Sequence, residues 1–202
     1  MNPTGHLRNY LHNMQAVSSL SDLELIRQIS KKDQTALEEL YQRYHLSIYN
    51  FFIRTTQDHA SGEDLLQEFF INVWQGAGKF EARSSVKTWL FRMAHFMSAG
   101  WLRNNKKFNY EDDTDAIEFL TNAEDASLEN LAFANWNYAQ IQKAIQQLTP
   151  TQREIIELTF MHELSHLEVS YVLNCPVGTV KSRLHNALHQ LNRILIAKGI
   201  TT

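Results

Sequence analysis

From Ser165 onward the sequence admits essentially one local arrangement. Ser165-His166-Leu167-Glu168 is a capping box, in which the hydroxyl and the carboxylate each take a backbone N–H at a helix start, so a helix begins at Ser165. Asn174 follows that short helix and tolerates the left-handed backbone that ends one. Pro176 then opens a longer helix, VGTVKSRLHNALHQLNRIL, where Val180, Leu184, Leu188, Leu191 and Leu195 recur at helical spacing. A short helix, a tight turn and a longer helix make a helix-turn-helix. Upstream, LTPTQREIIELTF supplies another helix, with Thr149 as N-cap, Pro150 in the first position and Gln152 completing a capping box.

The same stretch contains His162-Glu163-Leu164-Ser165-His166, which fits the H-E-x-x-H pattern of zinc hydrolases. That pattern works only when both histidines project from one face of one continuous helix. Here the second His follows an N-cap, so the pair straddles a bend. The continuation that would supply a third ligand places Gly and His where this chain has Val169 and Val172, and residues 169–202 hold no Asp or Glu. We therefore expect no metal, no other cofactor and no catalytic residue. His185 and His189, also four apart, read as a solvated or DNA-facing pair.

The first half is helical as well. Ser21 and Glu24 form a capping box before LELIRQI, and Asp33 can cap TALEELYQRYHLSIYNFFIRTT. Ser61 precedes GEDLLQEFFINVWQGAGKF, with Glu63 and Asp64 in a first turn where the helix dipole favours acids and Gly76-Ala77-Gly78 as the stop. Leu66, Phe70, Val73 and Trp74 read as core. A further helix runs through VKTWLFRMAHFMSAGWLRNNKK and ends in a basic cluster.

Charge divides the chain. Residues 21–107 carry 12 Lys and Arg against 10 Asp and Glu, and residues 131–202 carry 6 against 4. Between them, residues 108–130 hold 8 acids and no base, which marks a boundary between two mildly basic bodies. The single Cys175 rules out an internal disulfide, and no apolar run reaches the roughly 20 residues of a membrane span. The first 20 residues lack the apolar core of a signal peptide, so a cytoplasmic location and no membrane insertion are expected.

EDLLQEFFINVW, KTWLFRMA, LTPTQREIIEL and CPVGTVKSRL occur in that order over about residues 20–197. Together they resemble the bacterial extracytoplasmic-function (ECF) sigma factors. The resemblance implies an all-α protein of two small domains that is not an enzyme. It implies residues 1–20 as an N-terminal extension, 21–107 as sigma region two, 108–130 as an acidic linker and 131–202 as sigma region four with its helix-turn-helix. It also implies core RNA polymerase, promoter DNA and an anti-sigma factor as partners. The linker would pass through the polymerase's nucleic-acid path, where its charge mimics nucleic acid; a plain tether is the competing reading.

The resemblance assigns residues too. Asp64, Leu65, Gln67, Glu68, Phe69 and Asn72 correspond to the segment that docks on a coiled coil of the largest polymerase subunit. Residues 84–107 correspond to the melting and minus-ten-reading segment. There Trp89, Phe91, Phe96 and Trp101 offer stacking platforms for unpaired bases, and Lys87, Arg92, Arg103, Lys106 and Lys107 offer phosphate contacts. Thr179, Lys181, Ser182, Arg183, His185 and Asn186 would face the major groove, with Val180 and Leu184 turned inward. The chain departs from the family at His95, Phe96 and Gly100, in having few cations after Leu184, and at Leu167 and Tyr171, which stand at positions often acidic. Two alternatives follow: a sigma-like interaction protein with weakened promoter reading, and a helix-turn-helix regulator independent of polymerase.

Overall fold

Local capping sets where the helices begin. A computed structural model describes residues 17–105 and 140–200, and among these there is helix and no strand. Helix α1 is Asp22–Ser30, with the Ser21/Glu24 capping box formed. Asp33 caps α2, Gln34–Thr56, by accepting from the N–H groups of Thr35 and Ala36. Helix α3 is His59–Gly76 and begins earlier than the sequence suggests. Its cap is Asp58, whose carboxylate accepts from the Ser61 N–H at 2.8 Å, so Ser61 lies inside the first turn. A 3-10 turn at Ala77–Lys79 follows, and Ser85 caps α4, Val86–Asn104.

These four helices enclose an aromatic core. Phe51, Phe52, Phe69 and Phe91 are essentially inaccessible, and they meet edge to face: Phe52 on Phe69 at 6.0 Å and Phe51 on Phe91 at 5.8 Å between centroids. Gly62 lets α3 approach α2, since a Cβ there would lie 2.4 Å from Ile53 Cδ1.

The second half follows residues 140–146, which are helical. Helix α5 is Pro150–Ile156, with the Thr149/Gln152 box present. The chain then widens into a π-helical turn, Glu157–Met161, closed by a bond from the His162 N–H to the Glu157 carbonyl at 3.1 Å. Helix α6, His166–Leu173, starts at the Ser165/Glu168 box and ends at Asn174, whose φ of 51° is left-handed. Helix α7, Val177–Ala197, completes the helix-turn-helix, with Val180, Leu184 and Ala187 buried.

The two H-E-x-x-H histidines fall on different elements. His162 is buried at the end of the π-turn, whereas His166 is the first residue of α6, and Glu163 between them has φ 53°. No single helix presents both rings. α4 packs against α6, and buried residues from both halves belong to one continuous core. The acidic segment 108–130 lies outside the described residues.

Candidate nucleic-acid and polymerase interfaces

The seam between the halves is polar at its centre. Arg54 in α2 and Glu157 in the π-turn form an ion pair with both side chains almost wholly buried, and His162 Nε2 lies 3.3 Å from the same carboxylate oxygen. Arg153 reinforces the join by donating to the Arg54 carbonyl at 2.9 Å. The His162 ring rests on Phe91 with centroids 4.0 Å apart, so one imidazole closes both the polar and the aromatic contact. His95 and Glu154 pair at 2.6 Å farther along α4.

Glu168 serves two helix starts. Its carboxylate takes the Ser165 N–H at 2.9 Å in its own capping box, and it also accepts from the Thr88 hydroxyl at 2.9 Å, in the first turn of α4. The Ser165 backbone N–H, helped by the Ser165, Thr88 and Ser85 hydroxyls and opposed by partial burial, holds this carboxyl below the usual Glu range. A depressed folded-state value means stability that is present above the unfolded value, about 4.3, and is lost as pH falls through the folded one. Glu168→Gln should therefore lower the melting temperature at pH 7, and the gap from wild type should narrow below about pH 4.3. A melting difference that stays constant from pH 7 to pH 3 would show that the charge contributes nothing.

On α3, Asp64, Gln67 and Glu68 are exposed and Asn72 is half-buried, its amide 3.6 Å from the Met97 sulfur. Leu65 and Phe69 are corrected. Leu65 is 7% exposed and Phe69 0%, so both belong to the core and offer little surface to a partner. Ile71, 55% exposed on the same helix, is an outward apolar residue that periodicity did not single out.

On α4 the aromatic set divides. Phe91 is fully buried against Phe51 and His162, so it is core and not a base-stacking platform. Trp89 is half-buried beside Phe80, with centroids 5.2 Å apart, and Trp101 packs partly against the core. Phe96 stands out at 47% exposure. Lys87 is half-buried and Arg103 exposed, whereas Lys106 and Lys107 lie outside the described residues. Arg92 is already engaged. Its guanidinium lies over the Tyr171 and Phe96 rings, at 4.5 and 5.1 Å from their centroids, and donates to the Tyr171 carbonyl.

Helix α7 presents the arrangement expected of a reading helix. Val180 and Leu184 anchor it inward, which turns Lys181, Ser182, Arg183, His185 and Asn186 to solvent; Thr179 is half-buried. Leu167, at 72%, is the most exposed large apolar residue of α6, and Tyr171 is partly covered by Arg92. The seam residues Arg54, Thr88, Glu154 and Glu157 were missed. One signal was present, since Arg54 and Glu157 are the lone charges in mostly apolar strings, FFIRTT and IIELTF.

Two family models match the chain, Sigma-70 region 2 over residues 40–113 and Sigma-70, region 4 over residues 138–191. The ECF RNA polymerase sigma factor SigK of Mycobacterium tuberculosis (strain ATCC 25618 / H37Rv) is 31% identical over 177 residues, 87% of this chain and 94% of the relative. The chain belongs to the ECF sigma factors. SigW of Bacillus subtilis (strain 168) is also 31% identical, over 84% of this chain and 94% of its own length. Two solved structures share the fold: CnrH in complex with the cytosolic domain of CnrY (TM-score 0.63, 21% identity, 87% of this chain and 97% of that one), and RpoE with the anti-sigma factor NepR from Bartonella quintana (TM-score 0.61, 22% identity, 78% and 95%). The region-2 match sets aside a helix-turn-helix regulator independent of polymerase. As an ECF sigma factor the protein gives RNA polymerase its promoter specificity. Among the described residues, no helix is long and apolar enough to cross a membrane.

Proposed function

We propose that the sigma factor divides its work among three surfaces. The exposed acids and amides of α3, Asp64, Gln67 and Glu68 with Asn72, dock on core polymerase. Helix α4 meets the opened minus-ten region through Phe96 and the cations Lys87, Arg92 and Arg103. Helix α7 reads the upstream element in the major groove through Thr179, Lys181, Ser182, Arg183, His185 and Asn186. The observation that carries this reading is the burial of Val180 and Leu184, with Lys181, Ser182 and Arg183 on the open side of the same turn.

The seam adds a condition. Arg92 is held by Tyr171 of α6, so it reaches a phosphate only once the α4–α6 contact parts. The α7 set needs no such release. The protein acts in the cytoplasm, performs no chemistry of its own, and is regulated by an anti-sigma factor, the kind of partner named with the Bartonella quintana relative. The segment 108–130 serves as the linker between the regions.

Arg183→Ala tests the assignment of α7. Loss of a bidentate base contact should weaken binding of the holoenzyme to its upstream element by about 1–3 kcal/mol and relax the sequence preference at one position. Anisotropy titrations on matched duplexes decide it. An equal loss on every sequence would reduce Arg183 to a phosphate contact.

A further inference from the structure

The turn after α3 and the first turn of α4 frame an open pocket of about 140 Å³. Phe80 and Trp89 form its aromatic side, with centroids 5.2 Å apart. Lys79 brings positive charge to it, as does Arg83, itself paired with Glu81 at 2.6 Å. Of the residues that line this pocket, only Tyr171 comes from the second half of the chain, on α6.

Tyr171 also occupies Arg92, one turn farther along α4. The guanidinium lies over the Tyr171 ring at 4.5 Å from its centroid, and over the Phe96 ring at 5.1 Å. It donates to the Tyr171 carbonyl as well. Each of these contacts is one that a single strand of DNA makes with an arginine. An unpaired base stacks on the guanidinium plane, and a phosphate oxygen accepts its N–H groups. Tyr171 supplies both the ring and the oxygen from one residue. It is held in place by the hydrogen bond from the Thr88 hydroxyl to Glu168, at 2.9 Å, which ties the start of α6 to the start of α4. The reading face of α7 is treated differently, since Lys181, Ser182 and Arg183 are exposed.

We propose that Tyr171 is a built-in nucleotide mimic. In the free chain its ring and carbonyl hold Arg92 and cover the pocket of Phe80 and Trp89, so a minus-ten strand is refused while the face of α7 stays open. A chain whose α4 is accessible in only a fraction of molecules binds with its affinity reduced by that fraction. The proposal rests on the reading of α4 as the minus-ten surface.

The test is anisotropy of a labelled minus-ten strand, taken from a promoter that the holoenzyme transcribes and titrated with the full chain alone. Tyr171→Ala should raise affinity about tenfold, and Phe96→Ala added to it should remove most of the gain. Tyr171→Phe keeps ring and carbonyl and should stay within about twofold of wild type. If Tyr171→Ala gives no gain while Phe96→Ala still weakens binding of the strand by the holoenzyme, the α4 reading stands and the mimic falls alone. If Phe96→Ala has no effect in the holoenzyme, the α4 reading falls and takes the mimic with it. Should Tyr171→Ala lose helix content, Thr88→Val, which loosens the same contact at Glu168, decides: a gain in strand affinity supports the mimic, and none overturns it.

Discussion

Arg54→Met should cost about 3–5 kcal/mol of stability, the usual penalty for removing one member of a buried ion pair. The side chains of Arg54 and Glu157 are 7% and 3% exposed, and the two residues come from halves of the chain 103 positions apart. Without the guanidinium, the Glu157 carboxylate keeps only His162 Nε2 at 3.3 Å among these side-chain partners. The penalty comes from the stranded charge more than from the lost attraction. Arg54→Met combined with Glu157→Met should therefore cost less than the sum of the two single changes. Urea midpoints for the four proteins give the coupling energy directly. Additive losses would mean that the two charges do not sense one another in solution. That would place the join of α2 with α5 and the π-turn in doubt as well, since Arg54 is also held through its carbonyl by Arg153.

Phe91→Ala should be comparably severe, at about 3–5 kcal/mol, because it opens a cavity that neighbouring rings cannot collapse to fill. The ring is fully buried, edge-on to Phe51 at 5.8 Å and against His162 at 4.0 Å, so its loss strips contacts from both halves at once. Phe96, five residues along α4 and 47% exposed, provides the contrast. Phe96→Ala should change stability by no more than about 0.5 kcal/mol, while weakening binding to an opened, single-stranded minus-ten segment by about 1–3 kcal/mol. Thermal melts and single-strand titrations separate the two roles. Wild-type stability in Phe91→Ala, with a defect confined to DNA, would restore the sequence's first assignment of that ring.

That reassignment shows where sequence reasoning works and where it stops. The helix-turn-helix was legible because its signals are local. Ser165 and Glu168 cap within one turn, Asn174 tolerates positive φ, and the spacing of Val180 and Leu184 names the inward face. Asp64, Gln67 and Glu68, which the family resemblance singled out on α3, are exposed there. The burial of Leu65, Phe69 and Phe91 was not legible, because α3 and α4 carry apolar residues around most of their circumference, and periodicity cannot say which apolar stripe meets a neighbour. The π-turn at Glu157–Met161 was hidden inside what reads as one continuous helix, since a shift from i+4 to i+5 bonding leaves no mark in composition. The Arg54–Glu157, Thr88–Glu168 and Arg92–Tyr171 contacts join residues 79 to 103 positions apart, and only the folded chain brings them together.

Run-off transcription with reconstituted holoenzyme tests the central claim most directly. Core polymerase supplemented with this chain should produce discrete transcripts from a limited set of promoters, absent with core alone and reduced by Arg183→Ala. Stable assembly with core polymerase but no promoter-dependent transcript from genomic fragments would contradict it, leaving a sigma-like protein that binds polymerase without reading DNA.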